Sequence, residues 1–257
     1  MILLADIGNT SITLGLVKSN RIVSFGRITI DKSNNEVFRK GLLRKYIKDH
    51  KVRITKNDIA IFCSVVPRVD KYFKIALQEL GIREIYQGGK NLKYCIKNKY
   101  KKPKQVGADR LLNAIAAHND YPQGDILVVD FGTAITFDIV NKRNEYLGGI
   151  IMPGVRTSLA ALSSKAELLP LIKLIKPIGL IGKDTKTSIQ NGIFYSVADA
   201  CEGIINRFKG KYGGKLKVIA TGGDSSLFKN LVPGIDLVDR QLTLRGLYVN
   251  YKMQKSS

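Results

Sequence analysis

The chain has 257 residues, 44% of them hydrophobic, and carries 42 Lys and Arg against 21 Asp and Glu. At roughly 100–200 residues per domain it has room for two lobes or one large α/β unit, and its apolar content excludes a wholly disordered chain. Its net charge of +21 favours anionic partners in general without choosing among nucleotides, phosphorylated metabolites, nucleic acid and acidic membranes; the lysines are scattered, which is the pattern of a solvated surface.

In chain order, Met1–Asp6 has no basic stretch and meets a carboxylate at once, so no signal peptide is expected. An apolar run ends in Asp6-Ile7-Gly8, followed by a β-rich run to Val17, a turn at Lys18–Arg21 and another apolar stretch. A helical pattern follows near Val37–Lys48, then a strand over Ile59–Val65 and a helix over Val69–Leu80. A short strand and a lysine-rich loop lead to a helix that opens at Gly107 and runs to about His118. Beyond Asn119–Gly124 the pattern starts again. Ile126–Val129 runs into Asp130-Phe131-Gly132, a β-rich run reaches Val140, Asn141–Asn144 turns, and Glu145–Ile151 forms a third run. Helices are expected near Val155–Leu162 and over Thr187–Phe208, a strand over Leu216–Ala220, a helix from Ser225 and a last helix over Leu242–Tyr251.

The apolar stretch Leu168–Ile181 is broken by Pro170 and Pro177 and reads as a loop or interface edge, not a membrane-lying helix. Apolar runs such as Ile59–Val66 fall far short of the ~20 residues of a membrane span. Cys63, Cys95 and Cys201, odd in number and without a C-x-x-C pair, make neither a disulfide framework nor a zinc site, so a reduced, cytoplasmic protein is expected. The two Asp-x-Gly segments lie about half a chain apart in the same strand-turn-strand setting, which argues for an internal duplication. Two lobes follow, residues 1–119 and 120–257.

Asp-x-Gly at a strand end suits a phosphate. Gly8 and Gly132 let the backbone approach without a Cβ in the way, and Asn9, Thr10 and Thr133 can donate hydrogen bonds. Asp6 can hold Mg²⁺ directly or through water. Asp130 leaves an apolar strand, where a carboxylate needs a partner. A cation or the N–H groups of its own turn would serve. Thr221-Gly222-Gly223-Asp224 joins a strand to a helix and offers a flat backbone to a nucleotide. Neither the G-x-x-x-x-G-K-[ST] nor the G-x-G-x-x-G fingerprint occurs, and His50 and His118 fall in helical patterns as packing or surface residues. Asp109 is either a helix N-terminal residue paired with Arg110 or a base.

These three elements, in this order, resemble the phosphate-1, phosphate-2 and adenosine motifs of the acetate and sugar kinase, chaperone and actin superfamily. Gly107-Ala108-Asp109-Arg110 is similar to the Gly-x-Asp-Arg motif of type III pantothenate kinases. Asp6–Thr10, Asp130–Ala134, Gly148–Gly154 and Gly182–Thr185 with Gln190-Asn191-Gly192 match the same family in its own order over nearly the whole chain. The resemblance implies an α/β protein of two duplicated ribonuclease-H-like, actin-like lobes with the nucleotide cleft between them. It implies transfer of phosphate from ATP to pantothenate, giving 4′-phosphopantothenate, the first step of coenzyme A biosynthesis.

By the same resemblance Asp109 is the general base, and Tyr100, Gly107, Ala108, Asp109, Arg110 and Thr185 contact the substrate, Thr185 across a homodimer interface. Asp6, Ile7, Gly8, Asn9, Thr10, Ser11, Ile12, Thr13 and Thr133 contact ATP. Asp130 is the ligand of K⁺ or NH₄⁺, and Mg²⁺ accompanies ATP. Two rival readings are another small-molecule kinase of the superfamily and a non-catalytic regulator that keeps the nucleotide fold. The segment Lys93–Lys104 interleaves lysine with tyrosine, as a nucleic-acid groove does. Since it leads straight into Gly107–Arg110, it reads instead as a positive rim for anionic substrates, with no nucleic acid or membrane partner expected.

Overall fold

A computed structural model describes residues 1–29, 41–165, 172, 174–213 and 215–256. By compactness it divides into residues 1–120 with 241–257, and residues 121–240. In the first unit, strands β1 (Ile2–Ile7), β2 (Ser11–Lys18) and β3 (Arg21–Thr29) form an antiparallel meander. Ser19 and Asn20, both at positive φ, make the two-residue turn between β2 and β3. Strands β4 (Ile59–Ser64) and β5 (Glu84–Gln87) then add parallel on the other side of β1, giving the order β3-β2-β1-β4-β5.

Strand alternation distributes the helices over both faces of this sheet. Leu3, Ala5 and Ile7 point to a core shared with α1 (Gly41–Asp49) and α2 (Pro67–Glu79), through Tyr46, Phe73 and Leu77. Leu4, Ile61 and Cys63 point to the opposite face, covered by Leu112 and Ile115 of α3 (Ala108–Asp120) and by Leu244 and Leu247 of α7 (Leu242–Lys255). A short strand β6 (Lys97–Asn98) and a 3₁₀ turn (Pro103–Gln105) lie in the segment before α3.

The second unit repeats this plan. Strands β7 (Ile126–Phe131), β8 (Ala134–Asn141) and β9 (Glu145–Pro153) form an antiparallel meander, and β10 (Lys217–Thr221) and β11 (Leu237–Val238) add parallel beyond β7. The duplication is therefore visible in strand order and sense. Between the meander and β10 come α4 (Val155–Lys165) and α5 (Thr185–Tyr212), and α6 (Ser225–Phe228) follows β10. Phe194, Val197 and Cys201 of α5 bury the face made by Val129, Phe131, Phe137 and Ala220.

The expected lobe boundary needs one correction. Residues 241–257, assigned from sequence to the second lobe, belong to the first compact unit. The reason is packing: α7 lies against α3, with Thr243 Oγ1 donating to the buried Asn113 Oδ1 at 2.7 Å and Arg245 paired with Asp120 at 2.6 Å. The part of the Val37–Lys48 helix before residue 41, and Leu168–Leu171 with Lys173 of the proline-broken stretch, lie outside the described residues. The remainder of that stretch, 174–181, is irregular as expected, and Ile175, Ile178, Leu180 and Ile181 are exposed on it.

Gly246 marks how closely α3 and α7 approach. A Cβ there would stand 2.0 Å from the Leu112 carbonyl oxygen. Helix propensity alone makes Gly→Ala stabilising by about 1 kcal/mol, whereas overpacking costs about 1–3 kcal/mol. The backbone cannot move aside as a flexible side chain can, so packing wins. Gly246→Ala is expected to lower the denaturant midpoint of unfolding; a raised midpoint would show that the helices separate freely.

Candidate active site

Asp6 is the penultimate residue of β1, on the face that α3 covers. Parallel pairing puts Cys63 of β4 directly beside it, and the Cys63 thiol donates to Asp6 Oδ1 at 3.3 Å. Across the hairpin the partner of Asp6 is Thr13. The tip is short: Gly8 N–H donates to the Ser11 carbonyl at 3.0 Å, and Asn9 and Thr10 are exposed. Of the eight positions of this hairpin expected at ATP, Ile7 and Ile12 have buried side chains in the core, so only their backbone is available to a ligand. The Ser11 hydroxyl is occupied, accepting from Arg27 Nε at 2.7 Å.

Asp109 enters the same region from α3, as its second residue. Its carboxylate folds back over Gly107, where a Cβ would stand 2.4 Å from Asp109 Oδ1. The glycine of Gly-x-Asp-Arg is thus explained: any side chain there would displace the carboxylate. Asp109 Oδ1 accepts the Arg110 backbone N–H at 2.8 Å, so the helix-terminal role read from sequence is present together with the half-buried carboxylate. Arg110 is buried, and Tyr100 is half-buried in the segment between β6 and the 3₁₀ turn. The lysines around Tyr100, at 97, 99, 101, 102 and 104, are all exposed, as a solvated rim requires.

Burial, then the negative field of Asp109, raises the Asp6 carboxyl to about 7, while the Cys63 hydrogen bond and Arg27 act in the opposite direction. Burial and Asp6 together push the Cys63 thiol well above its ordinary value, so it remains a protonated donor. Cys63 is a site residue that sequence reading missed, because nothing but the strand register places it opposite Asp6.

The second unit carries the other cradle. Asp130 is the penultimate residue of β7 and pairs with Thr136 across the hairpin and with Thr221 of β10. Gly222, at φ +91°, lies against it: a Cβ there would stand 2.4 Å from Asp130 Oδ1 and 2.5 Å from the Phe131 carbonyl oxygen. Gly132 N–H donates to the Ala134 carbonyl at 3.1 Å, and Thr133 is exposed at the tip. The Thr133 carbonyl accepts from Gly154 N–H at 3.0 Å and from the Thr157 hydroxyl at 2.6 Å, which ties the tip to the start of α4. Arg156, not singled out from sequence, grips the buried Asp224 with Nε and Nη2 at 2.9–3.2 Å and fixes the Thr221–Asp224 turn.

Thr185 is exposed at the first position of α5. Asp184 caps that helix, accepting from Thr187 N–H at 2.7 Å while the Thr187 hydroxyl accepts from Asp184 N–H at 3.2 Å. Gly182 packs so tightly that a Cβ would lie 2.3 Å from Ser188 N. The Gly182–Thr185 motif therefore has a structural task as a helix start.

For a monovalent cation the chemistry of the donors at Asp130 fits, since a carboxylate and a backbone carbonyl lie together against Gly222, and hard cations take oxygen ligands. Mg²⁺ needs one or two carboxylates beside the nucleotide's phosphates, which Asp6 can supply. Among the described residues no cluster of three or more His, Cys, Asp or Glu makes a protein-only metal site.

Asp6 couples this geometry to stability. The folded protein keeps its proton where the unfolded chain has lost it, so folding weakens as pH rises from about 4 to about 7. The full cost of an ionised Asp6 is on the order of 4 kcal/mol. Without ligands, Asp6→Asn is expected to unfold at higher denaturant than the parent at pH 8, the gain shrinking towards pH 4. Denaturation at the two pH values checks this, and an equal gain at both would remove the buried-acid account.

A family model described as type III pantothenate kinase matches residues 2–207. A protein named type III pantothenate kinase from Geotalea daltonii is 37% identical over 258 residues, spanning all of both chains. Among solved structures, a Campylobacter jejuni protein assigned to the Baf family of transcriptional activators aligns over 99% of this chain and 100% of its own, with TM-score 0.60 and 19% identity. MreB 5 of Spiroplasma citri, solved with AMPPNP, aligns over 99% of this chain and 97% of its own at TM-score 0.53 and 10% identity. At such identities the structures establish the fold alone, a two-sheet α/β architecture. On its sequence match, the chain belongs to the type III pantothenate kinase family.

Proposed function

We infer that this chain performs its family's reaction, ATP-dependent phosphorylation of pantothenate to 4′-phosphopantothenate at the start of coenzyme A biosynthesis, with Asp109 as general base. The match to the family over the whole chain supports the activity. One observation carries the choice of base. The Asp109 carboxylate is held over Gly107 at the start of α3, within the field of Asp6.

Phosphoryl transfer is mostly positioning and charge neutralisation. The primary hydroxyl oxygen of pantothenate attacks the γ-phosphorus, the bond from that phosphorus to the β-phosphate oxygen breaks, and ADP leaves. The hydroxyl proton passes to the Asp109 carboxylate as the new P–O bond forms, a contribution of about 10²–10⁴ in rate. Gly107, Ala108, Arg110, Tyr100 and Thr185 line the pantothenate site, and Arg110 supplies a guanidinium to an acidic oxygen. The Asp6–Thr13 hairpin and Thr133 hold ATP, through tip amides and hydroxyls and through the backbone at Ile7 and Ile12. Asp6 would hold the Mg²⁺ that accompanies ATP, and Asp130 would hold K⁺ or NH₄⁺, which would supply positive charge to offset that of the nucleotide.

The shared strand order and sense of the two sheets supports a ribonuclease-H-like origin for both units. A homodimer that brings Thr185 to the substrate is supported by exposed Ile178, Leu180 and Ile181 just before α5, an apolar patch suited to a protein contact. A cytoplasmic setting suits this metabolism. Among the described residues no helix is long and apolar enough to cross a membrane.

Asp109→Asn keeps the helix start and removes the base. It is expected to bind nucleotide as the parent does while kcat falls by at least about 100-fold; near-normal kcat would dismiss Asp109. Asp130→Ala is expected to lower activity and abolish its dependence on potassium. A potassium response that survives intact would place the cation elsewhere.

A further inference from the structure

Beside Asp6 and Cys63 stands a residue with no part in the scheme above. After β5 the chain turns through Gln87-Gly88-Gly89, with Gly88 N–H donating to the Phe62 carbonyl at 2.9 Å and Gly89 N–H to the Leu92 carbonyl at 2.8 Å. The Tyr94 ring lies across this turn. A Cβ on Gly88 would stand 3.0 Å from the Tyr94 hydroxyl oxygen and 3.3 Å from the ring, and one on Gly89 would stand 3.2 Å from the hydroxyl. Two successive glycines thus form a shelf that sets the height and direction of the phenol.

The body of Tyr94 packs against the cluster that includes Leu4, Ile61, Cys63 and Leu112, on the sheet face that α3 covers and Asp6 shares. Its hydroxyl has no hydrogen-bond partner among the described residues. Burial raises the phenol far above its ordinary value, and Cys63, Asp109 and Asp6 raise it further. It therefore stays protonated wherever the enzyme works and can offer a proton to an acceptor. Asp6 is already bonded to Cys63, and Asp109 to the Arg110 backbone. A neutral phenol donor suits the uncharged or singly charged oxygens of pantothenate, its hydroxyl, amide and carboxylate groups. The dense negative charge of a triphosphate calls for cations instead.

We infer that Tyr94 is a substrate-binding residue, whose hydroxyl donates a hydrogen bond to an oxygen of pantothenate and holds the acceptor alcohol in line with Asp109. This rests on the reading of Asp109 as the base.

Tyr94→Phe keeps the ring on its glycine shelf and removes only the donor. The expected result is a KM for pantothenate raised about 5–10-fold, the ordinary effect of one lost hydrogen bond, with the KM for ATP and the unfolding midpoint unchanged. A KM for pantothenate within twofold of the parent, or a rise confined to the KM for ATP, would overturn the inference. Failure of the underlying reading shows separately, as undiminished kcat in Asp109→Asn.

Discussion

Each sheet carries a carboxylate one residue before the end of its central strand, Asp6 on β1 and Asp130 on β7, and the local geometry of each unit is built around that placement. A central strand is bonded on both sides, so a side chain at its end has neighbours fixed by register and cannot lean away. An acid held there is partly desolvated and must find a donor, a proton or a cation. Glycine two residues later keeps the turn bare, leaving the tip to ligands.

The two copies answer the constraint differently, and the register shows how. Cys63 is the parallel neighbour of Asp6 and Thr221 that of Asp130, so these occupy equivalent places in the repeat. In the first unit burial, and then the negative field of Asp109, keep a proton on Asp6 near neutrality, against the pull of the neighbouring thiol that donates to its carboxylate. In the second unit the residue after Thr221 is Gly222, whose missing Cβ lets the turn close against Asp130 and the Phe131 carbonyl. One acid is held protonated by burial and a like charge, and the other stands closely against a glycine.

Much of this was legible in the sequence because it is local. Asp-x-Gly, the Lys18–Arg21 turn and the long apolar helices are set by neighbours within a few residues, and their positions agree with the structure to within a few residues. The close approach at Gly107 was present as a motif, although its cause, a carboxylate folded over the α-carbon, is not visible in a string of letters. What escaped is non-local. Cys63 meets Asp6 only through strand pairing, Arg156 meets Asp224 across 68 positions, and the last helix returns to the first unit because a glycine lets it touch the backbone of α3. In the sequence Tyr94 is one of several aromatics in a basic segment, and only the glycine shelf sets it apart from Tyr100.

We propose that these carboxylates serve one reaction, with pantothenate as acceptor and a monovalent cation as helper. The most direct measurement is ADP release from Mg-ATP by the intact protein, with pantothenate or a hexose as acceptor, in potassium and in sodium alone. The account predicts pantothenate-dependent release that collapses when sodium replaces potassium. Preference for the hexose, or turnover indifferent to the cation, would contradict it.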